Sequence, residues 1–155
     1  MLFTIVEQRR VPFTKLTAND TVVAMSIDLA GVVENILRVL PDTNNIVVVI
    51  GNSAVEKYWL EQTRSAVKPF ADNVVFTWFN DLSFDEILER AAALPPRSAI
   101  FFVLMSVDAT EASHEGSKAF PRLHAVAGGK VWAENHLRGG AVFRFTLPLA
   151  RPRTA

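Results

Sequence analysis

The sequence predicts an α/β fold with a mostly parallel sheet, helices on both faces and a C-terminal antiparallel β-hairpin. Three observations carry that expectation. Ile46-Val47-Val48-Val49-Ile50 is an unbroken β-branched run, which suits a strand buried on both faces and not one with a wet side. Gly51-Asn52-Ser53 ends the run, and Ser53 with Glu56 three residues on forms a capping box that opens a helix. The same succession then repeats. Asn73 to Phe79 is an aromatic-rich strand, Ser83 with Glu86 is a second capping box, and Ala99 to Met105 is another unbroken apolar strand.

Taken in order, Phe3 to Val6 predicts a short strand and Thr21 to Ser26 a second. Asp28 caps a helix whose apolar positions Leu29, Val32, Val33, Ile36, Leu37 and Leu40 keep 3-and-4 spacing, and Pro41 stops it. The helix from Ser53 to about Phe70 is expected to bury Val55, Tyr58, Trp59, Thr63, Ala66 and Phe70. Its Glu56, Lys57, Glu61, Arg64 and Lys68 are expected to face water. Phe84, Ile87, Leu88, Ala91 and Leu94 form the apolar face of the next helix, which Pro95-Pro96 breaks. From Thr21 to Met105 the pattern is therefore βαβαβαβ, a Rossmann-like alternation read as one sheet. Ala109 to Lys118 is polar and loop-like, and Ala119 to Ala127 is a short, weakly helical piece. Lys130 to Asn135, a Gly139-Gly140 turn and Ala141 to Leu147 make the hairpin, with Phe143, Phe145 and Leu147 on its buried face.

With 155 residues the chain suits one domain, long enough to bury about 68–70% of its unfolded surface. A composition 50% hydrophobic and 21% charged excludes a disordered chain. Sixteen basic and 16 acidic residues give a net charge of zero, with none of the basic excess that marks nucleic-acid binders. The absence of cysteine excludes disulfides, thiol chemistry and thiolate metal sites. No apolar run reaches the ~18 residues of a membrane span, and the first residues are too short an apolar run for a signal peptide. As written, the chain reads as cytoplasmic.

Several motifs are shared with a known family. Asp28-Leu29-Ala30-Gly31, Leu40-Pro41-Asp42-Thr43, Ile46 through Gly51, Phe76-Thr77-Trp78, and Leu94-Pro95-Pro96 before the strand from Ile100 keep a common spacing. Through them, residues 3–126 resemble the periplasmic-binding-protein-like sensory region that precedes the catalytic part of bacterial two-component sensor histidine kinases. That region is related to the substrate-binding components of ABC transporters. The resemblance implies two α/β lobes with a ligand between them, an extracytoplasmic setting, and a kinase or response-regulator partner. This chain matches the end of the first lobe and most of the second. Residues 127–149, with Gly128-Gly129-Lys130-Val131-Trp132-Ala133-Glu134-Asn135 and Gly139 to Pro148, resemble the closing hairpin of a histidine kinase ATP-binding domain. The ATP-contacting motifs of that domain are an Asn-bearing helix, an Asp-x-Gly-x-Gly loop and a Gly-x-Gly lid, and none occurs in the sequence. The expected organisation is a sensory lobe over 1–126, a hairpin remnant over 127–149 and a tail over 150–155.

Ligands of open α/β sheets bind at the carboxyl ends of the strands. The candidate ligand-binding residues there are Gly51, Asn52, Ser53, Asp81, Ser106 and Asp108. The N–H groups of Gly51-Asn52-Ser53 at a helix N-terminus suit an anion or a carbonyl oxygen, although a turn-and-cap role explains them equally. Asp28, Asp81 and Asp108 do not form the paired acids of a receiver domain. His114-Glu115 with Pro121 has the flavour of a phosphoacceptor box, but Gly116 and Ser117 favour a solvated loop. His124 and His136 read as surface or hairpin residues, and three scattered histidines make no metal spacing. Trp59 and Trp78 read as core.

These readings predict a signal-transduction sensory module that binds a small ligand and has no catalytic machinery, cofactor or nucleic-acid partner of its own, and that is open to homo-oligomerisation. Two alternatives stand beside it: a histidine kinase completed by an ATP-binding subunit, and a degenerate fragment that only associates with partners.

Overall fold

The computed structural model describes residues 2–7, 11–25, 27–127, 132–135 and 141–144. Strands are β1 (Leu2–Glu7), β2 (Thr21–Met25), β3 (Asn45–Ile50), β4 (Val75–Phe79), β5 (Ser98–Leu104), β6 (Trp132–Asn135) and β7 (Ala141–Arg144). Helices are α1 (Leu29–Val39), α2 (Ala54–Val67), α3 (Phe84–Ala92) and α4 (Gly116–Val126). The main sheet has the order β4-β3-β5-β6-β7, parallel from β4 to β6 and antiparallel only at β7. The α/β class follows.

Why β3 has no polar break is visible in its two sides. Val47 and Val49 join one apolar cluster with Phe84 and Ile87 of α3 and Phe120 and Leu123 of α4. Ile46, Val48 and Ile50 join the other with Val32, Val33 and Ile36 of α1 and Leu60 and Val67 of α2. In β5, Ile100 and Phe102 belong to the first cluster and Ala99, Phe101 and Val103 to the second. Helices α1 and α2 therefore cover one face, and α3 and α4 the other. Register is pinned at the amino end by a polar ladder across three strands. The Asn45 amide donates to Ser98 Oγ at 3.1 Å, and Thr77 Oγ1 donates to Asn45 Oδ1 at 2.9 Å. A one-residue slip would exchange the two apolar sides.

The caps are as the sequence indicates. Asp28 Oδ1 accepts the Gly31 N–H at 2.9 Å, and both capping boxes are complete. Three readings are corrected. Strand β2 does not belong to the main sheet; it pairs in parallel with β1 as a separate two-stranded sheet, because alternation reveals strands and not their partners. The described strands of the hairpin, β6 and β7, pair antiparallel as expected and extend the main sheet, with Ile100 paired to Trp132 and Phe101 to Ala133. Helix α2 buries Glu56, Leu60, Thr63 and Val67, whereas Val55 and Tyr58 are exposed. Helix α4 begins at Gly116, not Ala119, because Ala119, Phe120 and Leu123 pack into the core and override weak local propensity. The Gly139-Gly140 turn, Phe145 and Leu147 lie outside the described residues. No helix among the described residues is long and apolar enough to cross a membrane.

Candidate functional site at the carboxyl edge of the sheet

The strand order sets the place. From β3 the chain crosses through α2 to β4 on one side, then through α3 to β5 on the other. The loops after β3 and β5 thus leave the sheet toward opposite faces. That reversal is the topological switch point where open α/β sheets receive ligands.

At this point the edge is closely stitched. The Gly51 N–H donates to the Leu104 carbonyl at 2.9 Å, and the Asn52 N–H to the Val107 carbonyl at 2.7 Å. The Ser53 N–H donates to Glu56 Oε2 at 2.9 Å, and the Glu56 N–H returns to Ser53 Oγ at 3.3 Å. The three N–H groups of the turn are therefore all engaged within the protein. Glu56 Oε1 accepts the Ser106 N–H from the loop after β5. Helical spacing turns this side chain toward water; it is instead fully buried. The reason is the capping box itself, which turns the third helical residue back over the strand ends. Gly51 lies directly beneath: a Cβ there would overlap Glu56 Oε1 and the Val107 carbonyl oxygen.

A second buried carboxylate organises the next loop. Asp108 retains 3% exposure. Its Oδ1 accepts the Thr110 N–H at 2.9 Å, the Thr110 hydroxyl at 2.7 Å and the Ala112 N–H at 3.1 Å. Its Oδ2 accepts the Phe84 N–H at 3.0 Å and lies 2.9 Å from His114 Nε2. Burial pushes the Asp108 carboxyl up, but the bonds from Thr110, His114 and the Phe84 amide outweigh it and hold the group well below the usual carboxylate range.

His114 does not sit in a solvated loop. Its side chain is 17% exposed, and its ring lies 4.8 Å from that of Phe84. Its N–H donates to the Ser106 carbonyl at 2.7 Å, and Val107 bridges to Ser113. Arg122 stands 4.9 Å from the Phe84 ring centre and 3.4 Å from Asp85. Beside this loop, hydrogen bonds from the Ser83 hydroxyl and amide lower the Glu86 carboxyl.

Of the six candidate residues, Gly51, Asn52, Ser53, Ser106 and Asp108 come together. Gly51 and Asp108 are buried in the scaffold, while Asn52, Ser53 and Ser106 are half-buried at the edge. Asp81 lies exposed on the turn after β4, which meets the loop through the Ala109 N–H and the Leu82 carbonyl at 3.2 Å. Glu56 and His114 are the two residues that sequence reasoning missed. For Glu56 the signal was its place in the capping box directly after a doubly buried strand. For His114 the partner Asp108 stands only six residues earlier, but the packing of that loop against Phe84 is set by the fold.

The arrangement can present side-chain hydroxyl and amide groups from a fixed backbone. Among the described residues no group of three or more His, Asp or Glu side chains could hold a metal ion. No family profile, curated protein or solved structure matches the chain.

Proposed function

We propose that the chain is a recognition module of signal transduction, of the kind that two-component sensor histidine kinases carry ahead of their catalytic part. It takes a small ligand at the carboxyl edge through the side chains of Asn52, Ser53 and Ser106. It performs no bond chemistry itself and passes occupancy to a kinase or response-regulator partner. One observation supports this reading above the others. Two buried carboxylates, Glu56 and Asp108, fix the loops that carry those side chains, and both are occupied by donors of the protein itself. Groups so engaged serve preorganisation, which lowers the cost of ordering a site on binding. A general base, by contrast, must face the proton that it abstracts.

The test is a thermal-shift and amide-NMR screen with amino acids, sugars, polyamines and nucleotides. A ligand that raises the melting temperature of the wild type, and that Asn52→Ala or Ser106→Ala weakens, is the expected result. Phosphotransfer from Mg-ATP to the chain would overturn the reading in favour of a kinase.

A second reading, a fragment that associates without binding a ligand, is favoured by the β4 edge. Val75 there is 65% exposed, and the strand Val-Phe-Thr-Trp-Phe carries no charge to discourage pairing. Sedimentation showing a ligand-independent dimer, together with an empty screen, would favour it.

A further inference from the structure

The geometry around Glu56 goes further than a helix cap. An ordinary capping box satisfies one backbone donor of its own helix start with the third helical side chain. Here the same carboxylate also accepts the Ser106 N–H from the other side of the switch point. Two N–H groups from two separate loops converge on one fully buried anionic side chain. They belong to the head of the 14-residue helix α2 and to the loop after β5. Gly51 supplies the floor, because any side chain there would overlap the Glu56 carboxylate.

Backbone N–H groups at such a position ordinarily meet an anion of the ligand. In this chain the protein provides that anion from its own sequence. We propose that Glu56 is the specificity-determining residue of the carboxyl edge. Its carboxylate permanently fills the anion cradle of the Ser53 and Ser106 N–H groups, so the edge takes uncharged or cationic ligands and rejects those carrying phosphate or carboxylate. This rests on the reading of the edge as a ligand site, and it names the ligand class.

The physical reason is twofold. An incoming anion finds the convergent donors already occupied, so its desolvation is not repaid. It would also stand beside a buried carboxylate in a region of low dielectric, where like charges repel most strongly. An uncharged hydroxyl or amide, or an ammonium group, meets neither obstacle and can bond to Asn52, Ser53 and Ser106.

The experiment removes the internal anion and offers external ones. The wild type and Glu56→Ala are titrated with sodium formate, sodium acetate and inorganic phosphate, at ionic strength held constant with chloride. Melting temperature and the amide resonances of Ser53 and Ser106 are followed. Glu56→Ala is expected to show saturable shifts at both amides and a rise in melting temperature of about 2–4 °C or more over chloride. A variant that is unfolded in chloride and refolds with formate gives the same answer. The wild type is expected to show no saturable shift at either amide.

Saturable binding of phosphate or formate at those amides in the wild type would overturn the proposal. So would a folded Glu56→Ala that ignores all three anions, or one that stays unfolded in all of them. Failure of the ligand screen with the anion gain intact would instead count against the ligand-binding reading and leave the cradle established.

Discussion

His114 Nε2 lies 2.9 Å from Asp108 Oδ2, and the same oxygen takes the N–H of Phe84 at the start of α3. One carboxylate thus joins the loop after β5 to α3, the helix that precedes that strand. Asp108→Ala would leave the donors of Phe84, Thr110, Ala112 and His114 without their acceptor. The expected loss is about 3 kcal/mol: the buried Phe84 N–H and the half-buried His114 each cost about 1–3 kcal/mol when left without this partner, while the exposed Thr110 and Ala112 can turn to water. For a chain of this size that is a fall of about 6–12 °C in melting temperature. Urea unfolding checks it, and a loss below about 1 kcal/mol would contradict the assigned role.

The same group sets an acid dependence. A carboxyl held below its ordinary value when folded binds protons more readily in the unfolded chain. Its stabilisation is therefore fully present above the unfolded value of about 3.9 and is lost as the pH falls toward the lower folded value. Between about pH 5 and pH 2.5 the wild type should lose stability more steeply with pH than Asp108→Asn does. Parallel curves would show that Asp108 titrates alike in both states.

His114→Ala tests the loop more gently. It removes one donor from Asp108 and the ring packed on Phe84, while the backbone bonds to Ser106 and across Val107–Ser113 remain. The global cost is expected near about 1 kcal/mol. Hydrogen exchange should nevertheless quicken across residues 107–113 before it quickens in β3 or β5. Uniform quickening through the sheet would place His114 in the global core instead.

Gly51→Ala probes the space beneath Glu56. The added methyl would overlap both the carboxylate and the Val107 carbonyl oxygen. Overpacking of this kind costs about 1–3 kcal/mol. The double variant Gly51→Ala/Glu56→Ala should recover part of what the single changes lose together, because the second change vacates the volume that the first needs. Strict additivity in urea melts would mean that the two positions do not share that space.

The parts of this fold written into local sequence were legible. An unbroken β-branched run can only be a strand with two apolar sides, and β3 has them. Ser53–Glu56 and Ser83–Glu86 marked two helix starts to the residue. What failed depended on partners distant in the chain. Val55 and Tyr58 looked like part of the inner stripe of α2, yet the stripe begins at Glu56, whose second acceptor bond reaches Ser106. Strand β2 had the right composition for the main sheet, but pairing is a long-range choice that composition does not encode. At the site, the turn after β3 was placed correctly, while the engagement of the Gly51 and Asn52 N–H groups depended on Leu104 at the end of β5 and Val107 in the loop after it.

Strand order also bears on how the molecule is made. The neighbour of β3 on one side is β4, which comes next in the chain, but on the other it is β5, and Asn45 meets Ser98 across 53 residues. During vectorial synthesis a chain that has reached α3 holds β3 with one unpaired margin. The side of Val47 and Val49 still lacks Ile100 and Phe102. Closure of the sheet's middle is therefore a late event, gated by emergence of β5. Arrest-peptide force profiles should show their main tension peak only for nascent chains that include Leu104, and until then the apolar sides of β3 stay incompletely covered.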